Sequence, residues 1–164
     1  MAKPGIVVDI PGFGRREIRT IVTDYTGTHS CGGKMTDSVK IALCKLAAFV
    51  DIHVLTSDTF GTVRKELDGI PVTIHILEGT DHDMQKSEYV RRIGASSTAA
   101  FGNGNNDRLL LEAVKNEGGL AVAVDNGEGC ALDTILNANL VIHGSENALM
   151  LLLDTNRLKA TLRS

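Results

Sequence analysis

The chain has 164 residues, 43% of them apolar and 23% charged, with 17 Gly, no Trp and a formal charge of −3 at pH 7. This balance excludes a disordered chain, and no apolar run approaches the ~18 residues that a membrane helix needs. With 20 acidic against 17 basic residues and few stacking aromatics, a nucleic-acid groove has little to be built from, so no nucleic-acid partner is expected.

Ile6–Ile10 and Glu17–Thr23 flank the turn-rich Pro11–Gly12–Phe13–Gly14, a pattern that predicts an antiparallel hairpin with the N-terminal run at a sheet edge. The apolar stretch Ile6–Val8, closed by Asp9, is too short for a secretory signal, and a cytoplasmic protein is the expectation. The next segment, Asp37–Val50, places Val39, Leu43, Leu46 and Val50 on one helical stripe, with Asp37 suited to the helix start. Short apolar runs follow at Ile52–Leu55, Val72–Leu77, Thr98–Phe101, Leu120–Val124 and Leu140–His143. Helices are expected between and after them, near Phe60–Leu67, Met84–Ile93, Asp107–Asn116, Ala131–Ala138 and Ser145–Leu153. The strict alternation of strand and helix predicts an α/β fold: a doubly wound, mostly parallel sheet in a three-layer, Rossmann-like sandwich with an N-terminal β-hairpin edge. No linker, repeat or low-complexity tract divides it, and one domain over residues 1–164 is expected. Cys31, Cys44 and Cys130 are widely spaced and odd in number, which fits free thiols rather than disulfides or a metal clamp.

In an open parallel sheet, ligands bind beyond the carboxyl ends of the strands. Four segments occupy such places: Asp24–Tyr25–Thr26–Gly27–Thr28, Thr56–Ser57–Asp58, Lys86 on its helix, and Gly102–Asn103–Gly104–Asn105–Asn106–Asp107. Taken singly, each has an ordinary reading. Asp24 could end a strand, Asp58 could cap a helix, Lys86 could face solvent, and a Gly–Asn loop could be a turn. In order, they supply what phosphoryl transfer requires: a carboxylate nucleophile, hydroxyl donors, a screening ammonium and a Gly-rich acidic loop for a divalent cation. His29 and Cys31 lack the partner pair that a zinc site needs, His53, His75 and His143 fit core or sheet-edge positions, and none is given a catalytic role.

The same ordered set resembles the motifs of the haloacid dehalogenase-like superfamily over about residues 17–145, with Asp24–Thr28 closest to the DKTGT of P-type ATPase phosphorylation domains. The chain lacks the transmembrane helices and nucleotide-binding insert of a pump, and resembles the small soluble relatives of that domain. The resemblance implies that Asp24 forms an aspartyl-phosphate and that Thr56, with Ser57 and Gly27, binds the phosphoryl group. It implies that Lys86 screens charge and that Asn106 supports the phosphoryl site. It also implies Mg²⁺ held by Asp24, the Thr26 carbonyl, Asn103 and Asp107.

Two departures stand out. Thr26 occupies the place where superfamily phosphatases carry an acid/base Asp, a loss worth roughly 10²–10⁴ in rate. Asn103 stands where the loop usually reads GDGxND, and an amide oxygen ligates Mg²⁺ without a negative charge. Both predict a slow Mg²⁺-dependent phosphohydrolase acting on a small phosphorylated substrate or a phosphorylated macromolecule. The other open reading is a non-catalytic phosphate- and Mg²⁺-binding or regulatory domain. A dehalogenase or phosphonate-type enzyme fits Thr56 and Lys86 less well. The short Tyr25–Thr36 connection leaves no room for a cap domain, so an open site is expected, with the Gly27–Lys34 loop a candidate contact in a homo-oligomer.

Overall fold

The computed structural model describes residues 2–164. Its first two strands, β1 (Ile6–Ile10) and β2 (Gly14–Ile18), pair antiparallel with Ile6 opposite Ile18 and Ile10 opposite Gly14. The predicted hairpin is therefore present, but its second strand stops at Ile18, and the two strands form a sheet of their own. Arg19 separates β2 from β3 (Thr20–Thr23), and its amide donates to the Ser97 carbonyl. The N-terminal run is thus not the edge of the main sheet. Single-sequence patterning reads Glu17–Thr23 as one strand because the break falls at one residue without a turn signature.

The main sheet comprises β3, β4 (Asp51–Thr56), β5 (Thr73–Ile76), β6 (Thr98–Gly102), β7 (Leu120–Asp125) and β8 (Leu140–His143). The six are parallel in the order β5-β4-β3-β6-β7-β8, so β3 and β6 are central and the chain reverses direction of travel between them. Alternating residues feed two apolar layers, as the period of two requires. Ile21, Ile52, Val54, Phe101 and Val122 face one layer; Val22, Leu55, Ala100, Ala121 and Ala123 face the other.

The first layer is completed by α1 (Asp37–Ala47), α6 (Ser145–Leu153) and α7 (Asn156–Leu162), with α1 packed along α6. Helix α7 carries its own buried contact, Leu158, and was not anticipated from the sequence. The second layer is formed by α3 (His82–Ile93) and α4 (Arg108–Asn116), where Val90, Leu110, Leu111 and Val114 are buried. The remaining helices are shorter than the sequence pattern suggested: α2 covers Val63–Glu66 and α5 covers Leu132–Leu136. Helix α1 likewise ends at Ala47, three residues before the end of its apolar stripe, because Val50 belongs to the turn into β4. No helix among the described residues is long and apolar enough to cross a membrane.

Candidate active site

Strand register assembles the site. Thr23 pairs with Val54 of β4 and with Phe101 of β6, so Asp24 emerges level with Leu55 and Gly102 at the carboxyl edge of the sheet. Thr56 stands one residue beyond it on one side and Asn103 on the other. The Asp24 amide is fixed by donation to the Phe101 carbonyl at 3.0 Å.

Lys86 reaches this edge from α3, with its side chain fully enclosed. Its Nζ donates to Asp24 Oδ1 at 2.9 Å and to Asp107 Oδ1 at 2.7 Å. An enclosed ammonium is tolerable only when paired and hydrogen-bonded. The two carboxylates outweigh the opposing effect of burial and hold Lys86 protonated above its ordinary range. For Asp24, burial and then the charge of Asp107 push the acid up to about 6, against the pull of Lys86. The resulting cluster carries two carboxylates around one ammonium, with Lys86 and Asp107 fully enclosed and only the Asp24 side chain, 9% exposed, open to the sheet edge.

Asp107 faces inward. Its Oδ1 is taken by Lys86, while Oδ2 accepts the backbone amides of Asn103 and Gly104, each at 3.0 Å. With no exposure and both oxygens engaged, Asp107 shapes the β6–α4 loop and positions Lys86; the structure does not present it as a metal ligand. Gly102 is obligatory for this arrangement, since a Cβ there would overlap the Asp107 side chain. Spacing alone could not distinguish these roles, because both put the carboxylate at the right loop.

The metal question then turns on Asp24, Asn103 and Thr26. Among the described residues no cluster of three His, Cys, Asp or Glu side chains could hold an ion. Thr28 Oγ lies 3.4 Å from Asp24 Oδ2 and 3.1 Å from Asn103 Oδ1, so a carboxylate oxygen and an amide oxygen converge on one hydroxyl. The Thr26 carbonyl, two residues along, accepts no hydrogen bond among the described residues. One carboxylate, one amide oxygen and one peptide oxygen are hard ligands suited to Mg²⁺, which keeps several waters and needs few protein oxygens. This set fits the ion with low charge.

Several expected binding residues are placed differently. Thr56 is buried and its Oγ accepts the Asp58 amide at 3.0 Å, leaving the hydroxyl proton free to donate. Ser57 is exposed and its hydroxyl pairs with Thr59. The Gly27 amide is consumed by the Ser30 carbonyl at 3.0 Å, so it is not a free phosphate donor. Gly27 matters sterically: at φ 76° its missing Cβ makes room for the Asn103 amide. Asn106 is half-buried in the turn before α4, against Gly104, without a hydrogen bond to Asp24 or Lys86. Asp58, at φ 54°, accepts the amides of Thr62 and Val63 at 3.0 and 3.1 Å and secures the start of α2.

Two buried residues given no role from sequence lie in the loop that follows Asp24. Thr28 bridges Asp24 and Asn103, and its place at the end of DYTGT was the available signal. His29 is 2% exposed; its Nδ1 lies 2.6 Å from Ser145 Oγ, and burial lowers its pKa to about 3. Between β3 and α1 lie residues 24–36 and between β5 and α3 residues 77–81.

No family model matches the chain. An uncharacterized protein of Methanocaldococcus jannaschii is 47% identical over 64 residues, which cover 39% of this chain and 64% of that protein's length. Solved structures align over most of the fold. The 3-deoxy-D-manno-octulosonate 8-phosphate phosphatase of Moraxella catarrhalis, in complex with magnesium, phosphate and KDO, superposes with a TM-score of 0.64 at 16% identity, over 89% of this chain and 94% of that one. The cobalt-bound Haemophilus influenzae phosphatase for the same sugar phosphate gives 0.63 at 15%, over 88% and 91%. A Legionella pneumophila structure assigned to subfamily III A of the HAD superfamily gives 0.67 at 16%, over 87% and 86%. With its strand order, its buried Asp24–Lys86 pair and these superpositions, the chain has the haloacid dehalogenase-like fold.

Proposed function

We propose that the chain is a divalent-metal-dependent phosphohydrolase that forms an aspartyl-phosphate on Asp24. The observation that carries this reading is the enclosed Asp24–Lys86–Asp107 cluster at the carboxyl edge of the central strand. A nearly buried carboxylate held against a fixed ammonium is costly to build, and one that keeps an opening at the sheet edge suits a group that must meet phosphate. One Asp24 oxygen attacks phosphorus and the ester P–O bond breaks, with the leaving oxygen taking its proton from water. Water then attacks phosphorus and the Asp24 carboxylate departs. Lys86 screens the charge between nucleophile and phosphate, and the free proton of the Thr56 hydroxyl is available to a phosphate oxygen. Mg²⁺, when bound by Asp24, Asn103 and the Thr26 carbonyl, would offset negative charge on the carboxylate and the phosphate.

Thr26 sets the pace in this reading. A threonine hydroxyl ionises far from neutrality and cannot act as acid or base, so turnover falls by roughly 10²–10⁴ against an enzyme with Asp there. The phosphoenzyme then persists, as the likeness to P-type ATPase phosphorylation domains suggests. The short connections at 24–36 and 77–81 leave no cap over Asp24, which supports access for small phosphorylated substrates, for larger ones, or for closure by a second copy of the chain in a homo-oligomer. Sedimentation returning a monomer at working concentration removes that last arrangement.

Asn103 and Thr26 also favour a second reading, a domain that binds phosphate and Mg²⁺ without turning over. One experiment separates the two: p-nitrophenyl phosphate hydrolysis with Mg²⁺, wild type against Asp24→Asn. Slow turnover that the variant abolishes supports the enzyme. Equal rates in the two proteins remove Asp24 from the chemistry.

A further inference from the structure

An amide at position 103 brings a problem of direction that a carboxylate there would not have. A carboxylate offers oxygen to a cation whichever way its plane turns, whereas the Asn103 amide offers oxygen at one end and two N–H donors at the other. Turned the wrong way, the same side chain would repel a cation and donate to the Asp24 carboxylate instead. Asn103 can hold Mg²⁺ only while its amide is kept from turning over.

The backbone at this position is already fixed. The Asn103 amide N–H donates to Asp107 Oδ2 at 3.0 Å, and its carbonyl accepts from the Ala131 amide at 2.7 Å. What remains free is the side chain, and two groups from different loops take its two ends. Thr28 Oγ, fully buried, donates to Oδ1 at 3.1 Å; Nδ2 donates to the Gly129 carbonyl at 3.4 Å. The absence of a Cβ on Gly27 lets the amide lie against the chain between them. The Thr28 hydroxyl also lies 3.4 Å from Asp24 Oδ2, so the oxygen end of the amide is the end on the Asp24 side. A hydroxyl has one proton to give, and the shorter contact assigns it to Asn103. A carbonyl oxygen has two lone pairs, so Oδ1 can ligate a cation while Thr28 still holds it.

We propose that Thr28 is a positioning residue that locks the Asn103 amide with its oxygen towards Asp24, the Gly129 carbonyl holding the other end, and that this lock is what lets an amide serve as a Mg²⁺ ligand in this chain. The proposal rests on the metal-dependent reading of the site. Its signature is conditional: Thr28 matters while residue 103 is an amide and ceases to matter once both ends of that side chain are oxygen.

The test is a double-mutant cycle of Thr28→Val and Asn103→Asp, read as the Mg²⁺ concentration that gives half-maximal thermal stabilisation, without substrate. Thr28→Val alone is expected to raise that midpoint by about tenfold, as loss of a group that orients a metal ligand does. In the Asn103→Asp background the same change should move it by about twofold or less, and Thr28→Ser, which keeps the hydroxyl, should stay within about twofold of wild type. Thr28→Ala makes the same comparison should valine prevent folding. A second readout leaves position 28 untouched: the side-chain amide signals of Asn103, identified by their loss in Asn103→Asp, should move as Mg²⁺ is added. Equal shifts in the two backgrounds, an unchanged midpoint in Thr28→Val, or Asn103 signals that ignore Mg²⁺ each overturn the lock. Aryl phosphate turnover that Asp24→Asn abolishes stands in all three cases. If Mg²⁺ stabilises neither wild type nor Asn103→Asp, the metal assignment itself falls and the lock falls with it.

Discussion

At the scale of single residues, Lys86 shows how much one side chain can be asked to hold. It pairs with Asp24 and Asp107 at once, with none of its side chain exposed. Replacing it by methionine keeps the volume and leaves two buried carboxylates facing each other. Lys86→Met should therefore lose about 3–5 kcal/mol in urea denaturation at pH 8. The unpaired carboxylates can protonate in acid, so the deficit against wild type should shrink at pH 5; a deficit independent of pH would mean that the pairing contributes nothing. Asn103 permits the opposite kind of change. Its amide oxygen already lies beside the Asp24 carboxylate, both within 3.4 Å of Thr28 Oγ. Asn103→Asp supplies the missing charge and should lower the Mg²⁺ concentration needed for half-maximal thermal stabilisation by about tenfold. An unchanged midpoint would place the ion elsewhere.

At the scale of elements, the β6–α4 loop depends on a close approach that only glycine allows. Gly102→Ala would drive a methyl group into Asp107, and that carboxylate holds the amides of Asn103 and Gly104. A loss of about 1–3 kcal/mol in chemical denaturation is expected, with any Asp24-dependent turnover falling too. Wild-type stability in this variant would show that the loop yields without cost. The same loop marks the limit of what was legible in the chain. Strand ends bearing Asp24, Thr56 and the Gly–Asn segment stood out because, taken in order, they supply every group that phosphoryl transfer requires, and the parallel order followed from alternation. What escaped was orientation. That Asp107 turns inward to Lys86 and that Thr28 links Asp24 to Asn103 both depend on how distant segments meet at the sheet edge, which no local pattern encodes. The hairpin shows the same limit, since a single residue, Arg19, separates one sheet from another.

Across the whole molecule, the cost of burying His29 makes stability depend on pH. Its folded pKa, about 3, lies below the unfolded value of about 6.5, so the folded state resists taking the proton. The contribution is complete above pH 6.5 and is lost as the pH falls from there towards 3, by up to about 1.4 kcal/mol per unit. Urea midpoints should decline across that window, and His29→Gln should flatten the decline; an equally steep profile in the variant would assign the acid sensitivity to other groups. His29 follows Thr28 directly, and Thr28 Oγ lies 3.4 Å from Asp24 Oδ2, so the buried imidazole and the acidic cluster belong to one loop.

Of the eight lysines in the chain, Lys86 alone is buried. Exhaustive treatment of the native protein with an amine-acylating reagent should therefore leave one amine untouched. The rate at which that last position becomes labelled would time the excursions that open the interior, giving a clock for the site that needs neither substrate nor metal.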